Sequence, residues 1–191
     1  MIPAFLRRVR SGLLLLLAGL ATLAHALTVA DLQRLLQGAA RPDVRYEEVR
    51  ESPWLSAPVT TRGILHVSGQ ALEKRVETPR AETWRLLEDR VEWVGPGNAG
   101  RKQILFSQAP ALQALADVTR RAVAGDLAAL ERDFRISVQG DERVWSARLQ
   151  PRGGVVMRQL ESVELQGTGN RLQVLIVTER AGERTTTRLL P

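Results

Sequence analysis

The chain has 191 residues, with 27 lysines and arginines against 21 aspartates and glutamates, for a formal net charge of +6 at pH 7. It contains no cysteine, which excludes disulfides, thiolate chemistry and a cysteine at which a bacterial lipoprotein could be acylated. Its arginines are dispersed among glutamates and aspartates, which excludes a nucleic-acid footprint, and the preference for arginine over lysine reads as genomic base composition.

The first predicted element is a leader. Arg7, Arg8 and Arg10 precede an apolar run from Leu13 to Leu23 and the small-residue end Ala24-His25-Ala26. The run falls short of the roughly 20 residues that a bilayer span needs, so residues 1–26 are predicted to be a secretory signal peptide cleaved after Ala26. Residues 27–191 remain, enough for one exported domain with a core.

A short amphipathic helix follows. Thr28 is its expected cap, Asp31 can answer the backbone N–H of Thr28, and Leu27 can staple onto Leu32. Leu32, Leu35, Leu36 and Ala39 lie at helical spacing, and Pro42 ends the element.

From Val44 to Phe106 the period becomes two. Strands are predicted near Val44 to Ser52, Val59 to Val67, Leu72 to Thr78, Thr83 to Leu87, Val91 to Val94 and Lys102 to Phe106. In the segment LEKRVETPRAETWRLLEDRVEW, charged and apolar residues alternate, so one face must be wet and the other dry. The pattern then breaks once. Pro110 to Ala124 places Leu112, Leu115, Val118, Ala122 and Val123 at helical intervals, Gly125 interrupts, and Asp126 can cap a further turn through Leu130. The period of two returns over Phe134 to Gln139, Val144 to Gln150, Glu161 to Gln166, Arg171 to Glu179 and Arg184 to Leu190. The expected class is α+β: one curved antiparallel sheet of about 11 strands forming an incomplete barrel, a leading helix, and a helical insertion after about the sixth strand.

The candidate catalytic motifs fail on context. GPGNAG, Gly95 to Gly100, matches the glycine pattern of a dinucleotide loop, but that chemistry needs a following helix to hold the pyrophosphate, and here a strand follows. His66 is the only histidine after the leader and sits within a strand. Alone it builds neither a metal site nor a Ser-His-Asp triad, and it is expected to face the surface. Glu47 and Glu48 are adjacent in a strand, so they point to opposite faces and cannot act as a facing acid/base pair. The expectation is no enzyme, no metal and no cofactor.

What remains is apolar. Trp54, Trp84, Trp93 and Trp145 are spread along the strand segments, and about one and a half helices are too few to cover so large a sheet. A sheet in that position curls, and one that its own side chains do not fill holds a ligand.

Several stretches resemble the LolA family of periplasmic outer-membrane lipoprotein carriers, in particular its shorter LolA-related branch. They are the helix Thr28 to Gly38, GILHV from Gly63, LEKRVETPRAETWRL with Pro79 between strands, GDLAALERDF from Gly125 to Phe134, VWSARLQP ending at Pro151, and LESVELQG leading into RLQVLIVTERAGERTTTRL. The resemblance implies an unclosed antiparallel barrel with an apolar concave face and helices across its mouth as a lid. It also implies a monomer in the periplasm of a Gram-negative bacterium, carrying acyl chains of lipoproteins or lipids from an inner-membrane donor complex to an outer-membrane acceptor, without nucleic acid. On that reading Leu65, Val67, Val76, Trp84, Leu86, Trp93 and Trp145 line the apolar trough, and Leu112, Leu115, Val118 and Val123 form the lid. The family's carriers place an arginine followed by proline after the G-x-L strand, where it holds the lid. A gapless reading from Gly63 puts Gly69 and Gln70 there, so closure rests on packing or on another basic residue. Relatives in the branch are associated with clusters making aryl polyenes or other fatty-acid-like products. Two alternatives stay open: a lipoprotein-sensing or interaction module of RseB type, whose chains carry a second domain, and an enzyme accessory to export of such products.

Overall fold

The computed structural model describes residues 27–37, 43–68, 71–98 and 100–191. The predicted signal peptide, Ala39, Pro42, Gly69 and Gln70 therefore lie outside the described residues. The elements in chain order are α1 Val29–Gln37, β1 Asp43–Glu51, β2 Val59–Ser68, β3 Ala71–Thr78, β4 Glu82–Leu86, β5 Arg90–Val94, β6 Arg101–Leu105, α2 Pro110–Ala124, α3 Leu127–Leu130, β7 Phe134–Gly140, β8 Val144–Pro151, α4 Gly154–Gln159, β9 Leu160–Thr168, β10 Arg171–Glu179 and β11 Arg184–Leu189.

The strands make one 11-stranded sheet in the order β6-β5-β4-β3-β2-β1-β11-β10-β9-β8-β7, antiparallel throughout. All but one of the pairings join consecutive strands through a local connection. The exception is β1 with β11, where Tyr46 stands opposite Leu189 and Glu51 opposite Arg184. It welds the two halves of the chain into one sheet. Strands β6 and β7 are left as the two edges, and the α2–α3 segment connects them, so the sheet curves without closing.

The period of two does what alternation dictates. On the outer face, charges pair across strands: Arg62 Nε with Glu47 at 2.7 Å, Arg85 Nε with Glu73 at 2.7 Å, and Arg148 with Glu164 at 3.1 Å. His66 also faces outward, its Nδ1 lying 2.7 Å from Asp43 Oδ1. GPGNAG is the β5–β6 hairpin loop, with a 3-10 turn at Pro96–Asn98. Trp54 is different from the other tryptophans: it lies in the β1–β2 connection, 81% exposed.

The concave face holds the helices. Thr28 N–H donates to Asp31 Oδ2 and Asp31 N–H donates to Thr28 Oγ1, both at 3.1 Å, which is the reciprocal cap that starts α1. Leu27, Leu32 and Leu36 then enter the largest buried cluster, together with Val118, Ala122, Leu127 and Leu130 from α2 and α3 and the inner residues of β7 to β10. Gln33 ties α1 to α3, its Oε1 accepting from the backbone N–H groups of Leu127 at 2.5 Å and Ala128 at 2.9 Å. Those two donors belong to the first turn of α3, where no intrahelical acceptor exists.

Four helices are present among the described residues, more cover than the sequence suggests. The unexpected one is α4, six residues between β8 and β9 with no fully buried side chain. It leaves little periodic signal, because a helix of that length does not complete two turns.

Candidate functional site

The strand register builds the site in rows. Val67, Leu72, Leu86, Val91 and Ile104 stand opposite one another across β2 to β6, and the next row is Leu65, Lys74, Trp84, Trp93 and Lys102. Val76 lies two residues beyond Lys74 in the same phase. The structure thus places Leu65, Val67, Val76, Trp84, Leu86 and Trp93 on one face, the concave one. Trp145 shares that face in the other half of the sheet, on β8 opposite Gly167.

Their surroundings differ. Leu65 is buried with Tyr46 and Leu72, and Val67 and Leu86 pack at the margin of that cluster. Trp84 and Leu86 pack against Val91, Phe106 and Ala116. Trp93 is half-buried. Trp145 is enclosed, 2% exposed within the cluster under α1. A Cβ on Gly167 would stand 2.2 Å from the Trp145 ring, and the indole N–H donates to Gly169 O at 2.8 Å.

Helix α2 lies over this face and touches each apolar cluster in turn. Leu112 and Ala116, one turn apart, meet Val91 and Phe106. Val118 is fully buried, with Leu115 at its margin. Val123 packs against both the large cluster and the Tyr46–Leu65–Leu72 cluster. The helix carries no side-chain cap at its start, has proline in its first turn, and stops at Gly125 in the left-handed conformation. Beyond its end is a cleft of about 160 Å³, lined by Leu36, Val44, Val123, Leu172 and Leu189 among others.

The concave face is not uniformly apolar, and sequence reasoning missed its polar members. Glu48, on the inner face where Glu47 is on the outer, lies 2.5 Å from Lys74 Nζ and accepts from Thr187 Oγ1 at 3.0 Å. Lys74 Nζ also sits 5.2 Å from the centroid of the Tyr46 ring. Burial pushes the Tyr46 phenol well above the ordinary tyrosine range, the Thr61 hydroxyl only partly offsetting it. Glu82 accepts the indole N–H groups of Trp84 and Trp93, each at 2.9 Å. The signal was present in the parity: Lys74 falls between Leu72 and Val76, and Glu82 is in phase with Trp84 and Leu86. Among the described residues no group of three or more metal-ligating side chains occurs, and no helix is long and apolar enough to cross a membrane.

An open, curved antiparallel sheet with helices laid in its largely apolar concave face defines an incomplete-barrel fold. The chain belongs to the family of outer membrane lipoprotein carrier proteins described as LolA-like, whose family model matches residues 21–190. No protein with a curated description matches it in sequence. Among solved structures it is similar to a LolA superfamily protein from Nitrosomonas europaea, at 13% identity and a TM-score of 0.42 over 86% of this chain and 92% of that one. A DUF1329 family protein from Desulfovibrio piger matches at 12% identity and a TM-score of 0.45, covering 85% and 90%. A domain described as outer membrane lipoprotein-sorting, from Vibrio parahaemolyticus, matches at 10% identity and a TM-score of 0.40, covering 87% and 90%.

Proposed function

We propose that residues 27–191 form one carrier unit that binds acyl chains of lipoproteins or lipids between the concave face and α2, and moves them through the periplasm from an inner-membrane donor to an outer-membrane acceptor. It works without a catalytic step. Leu65, Val67, Val76, Trp84, Leu86, Trp93 and Trp145 are the proposed trough, and Leu112, Leu115, Val118 and Val123 the proposed lid.

The observation that carries the reading is that α2 contributes to all three apolar clusters of the concave face while its two ends enter the sheet only through the free edge strands β6 and β7. A helix so placed can exchange its own leucines and valines for an acyl chain without breaking a strand pairing. Burying an acyl chain is worth about 0.8 kcal/mol per CH₂, so sixteen carbons contribute roughly 12 kcal/mol. Displacing α2 from the same surface offsets part of this, which lowers net affinity to a level from which an acceptor can take the cargo.

The test uses the absence of native cysteine. Ala116 on α2 and Val91 on β5 pack in one cluster, so the double variant Ala116→Cys, Val91→Cys should form a disulfide that pins the helix down. Binding of a fluorescent fatty acid should be abolished in the oxidised protein and return on reduction. Full binding by the oxidised form would refute a trough beneath α2.

A further inference from the structure

Glu82 is an inner-face carboxylate whose hydrogen-bond partners are neutral. Glu48 meets the Lys74 ammonium, whereas both Glu82 oxygens are taken by indole N–H groups, Oε1 by Trp84 and Oε2 by Trp93. Among the described residues no cationic side chain lies within salt-bridge distance of Glu82. Indole donors satisfy lone pairs but bring no formal positive charge into contact with the carboxylate on a half-buried surface, where a cation gains more than it would in bulk water.

The Trp84 and Trp93 rings are 6.2 Å apart at 52°, tilted rather than stacked. The glycine-rich β5–β6 loop folds against Trp93: a Cβ on Gly95 would come within 2.8 Å of its ring, and one on Gly100 within 3.6 Å. Of the glycines that match a dinucleotide pattern, Gly95 thus makes room for an indole. The Trp93 ring already draws a cation, since Lys102 Nζ, from an exposed residue of the edge strand β6, sits 5.5 Å from its centroid.

We propose that Glu82, Trp84 and Trp93 form a subsite for an ammonium group at the polar end of the acylated cargo. The inference rests on the carrier reading and adds the chemistry of the head group. A carboxylate beside aromatic rings attracts a protonated amine or quaternary ammonium through both charge and ring quadrupole, and it disfavours a head whose only charge is negative. The ligand's ammonium takes the place of Lys102 at Trp93. Two sources share this chemistry: an amine-headed phospholipid and an acylated peptide with a free amine.

The test compares matched pairs on the exported chain. The lipid pair is pyrene-labelled phosphatidylethanolamine against phosphatidylglycerol with the same acyl chains, and the peptide pair is an acylated peptide with a free against an acetylated amine. Wild-type protein should prefer the ammonium member by about tenfold. Glu82→Gln, which keeps an acceptor for the indoles, should level that preference while leaving pyrene-dodecanoate bound. Lys102→Ala, at an exposed position, should raise affinity for the ammonium ligand severalfold by removing the internal competitor. Preference in the lipid pair assigns the head to a phospholipid, and preference only in the peptide pair assigns it to a lipidated peptide. Acyl binding without preference in either pair overturns the subsite alone, as does an ammonium affinity that Lys102→Ala leaves unchanged. Failure of every probe to bind overturns the carrier reading and the subsite with it.

Discussion

At the scale of single residues, two glutamates show how neighbours set the pH response. Burial raises the pKa of Glu73, but hydrogen bonds from Arg85 and Arg75 outweigh it, and the carboxyl ends below its ordinary value. A depressed carboxylate contributes stability above the unfolded pKa of about 4.3 and loses it as pH falls through the folded value. Glu73→Gln should therefore flatten the acid limb of a plot of urea midpoint against pH. Glu179 has the opposite sign: burial, with Glu183 adding repulsion, raises it. Its favourable contribution is present below the unfolded pKa and disappears as pH rises through the folded one, so Glu179→Gln should raise the midpoint near neutral pH and leave it little changed at pH 4. Trp145 is the residue whose environment the sequence described least well. Its full enclosure and its bond to Gly169 make it a structural wall, and Trp145→Ala should cost about 3–5 kcal/mol, read by denaturant unfolding.

At the scale of elements, α2 carries the argument. Leu115 is half-buried at the margin of the large cluster, whereas Val118, on the same helix, is fully enclosed. Leu115→Glu should prop the helix away from the sheet and weaken fatty-acid binding with a modest loss of thermal stability, because an unpaired charge is not held in an apolar site. Val118→Glu should unfold the protein. Equal loss of stability in both variants would mark α2 as an ordinary core helix. The α1–α3 tie is a second element-scale feature that sequence reasoning did not foresee. Asp126 was legible as a cap, and it does accept from Ala129 N–H at 3.3 Å. Gln33, far away in the chain, answers the two donors before it. Gln33→Ala should cost about 1 kcal/mol and lower Tm by about 2–4 °C.

At the scale of the molecule, the sheet's two edges and its central weld predict a gradient of local stability. Strand β6 is exposed along its whole length and pairs on one side only, whereas β9 and β10 are paired on both sides over the main cluster. Native-state hydrogen exchange should proceed fastest among the strands in β6 and slowest in β9 and β10. If cargo enters beneath α2, fatty acid should slow exchange in α2 and in β4 and β5 while leaving β9 and β10 unchanged. Protection gained on the convex face instead would be inconsistent with the trough.

The sequence by itself determined the local structure apart from the short α4. The capped first helix, the strands to within a residue or two, the helical insertion and the hairpin role of GPGNAG all follow from periodicity, caps and turn residues, which act over a few positions. The shared inner phase of residues such as Leu65, Trp84 and Leu86 follows equally, because a period of two assigns faces without reference to anything distant. Only the tertiary structure decided that β1 pairs with β11, since the Thr187–Glu48 contact spans 139 residues and no local pattern encodes a partner that far away. It also decided which partners Lys74, Glu48 and Glu82 find on the dry face. A polar side chain is excluded from such a surface only when it is unpartnered, and the partners, Thr187 for Glu48 and two indoles for Glu82, come into reach through long-range pairing in the first case and neighbouring strand register in the second.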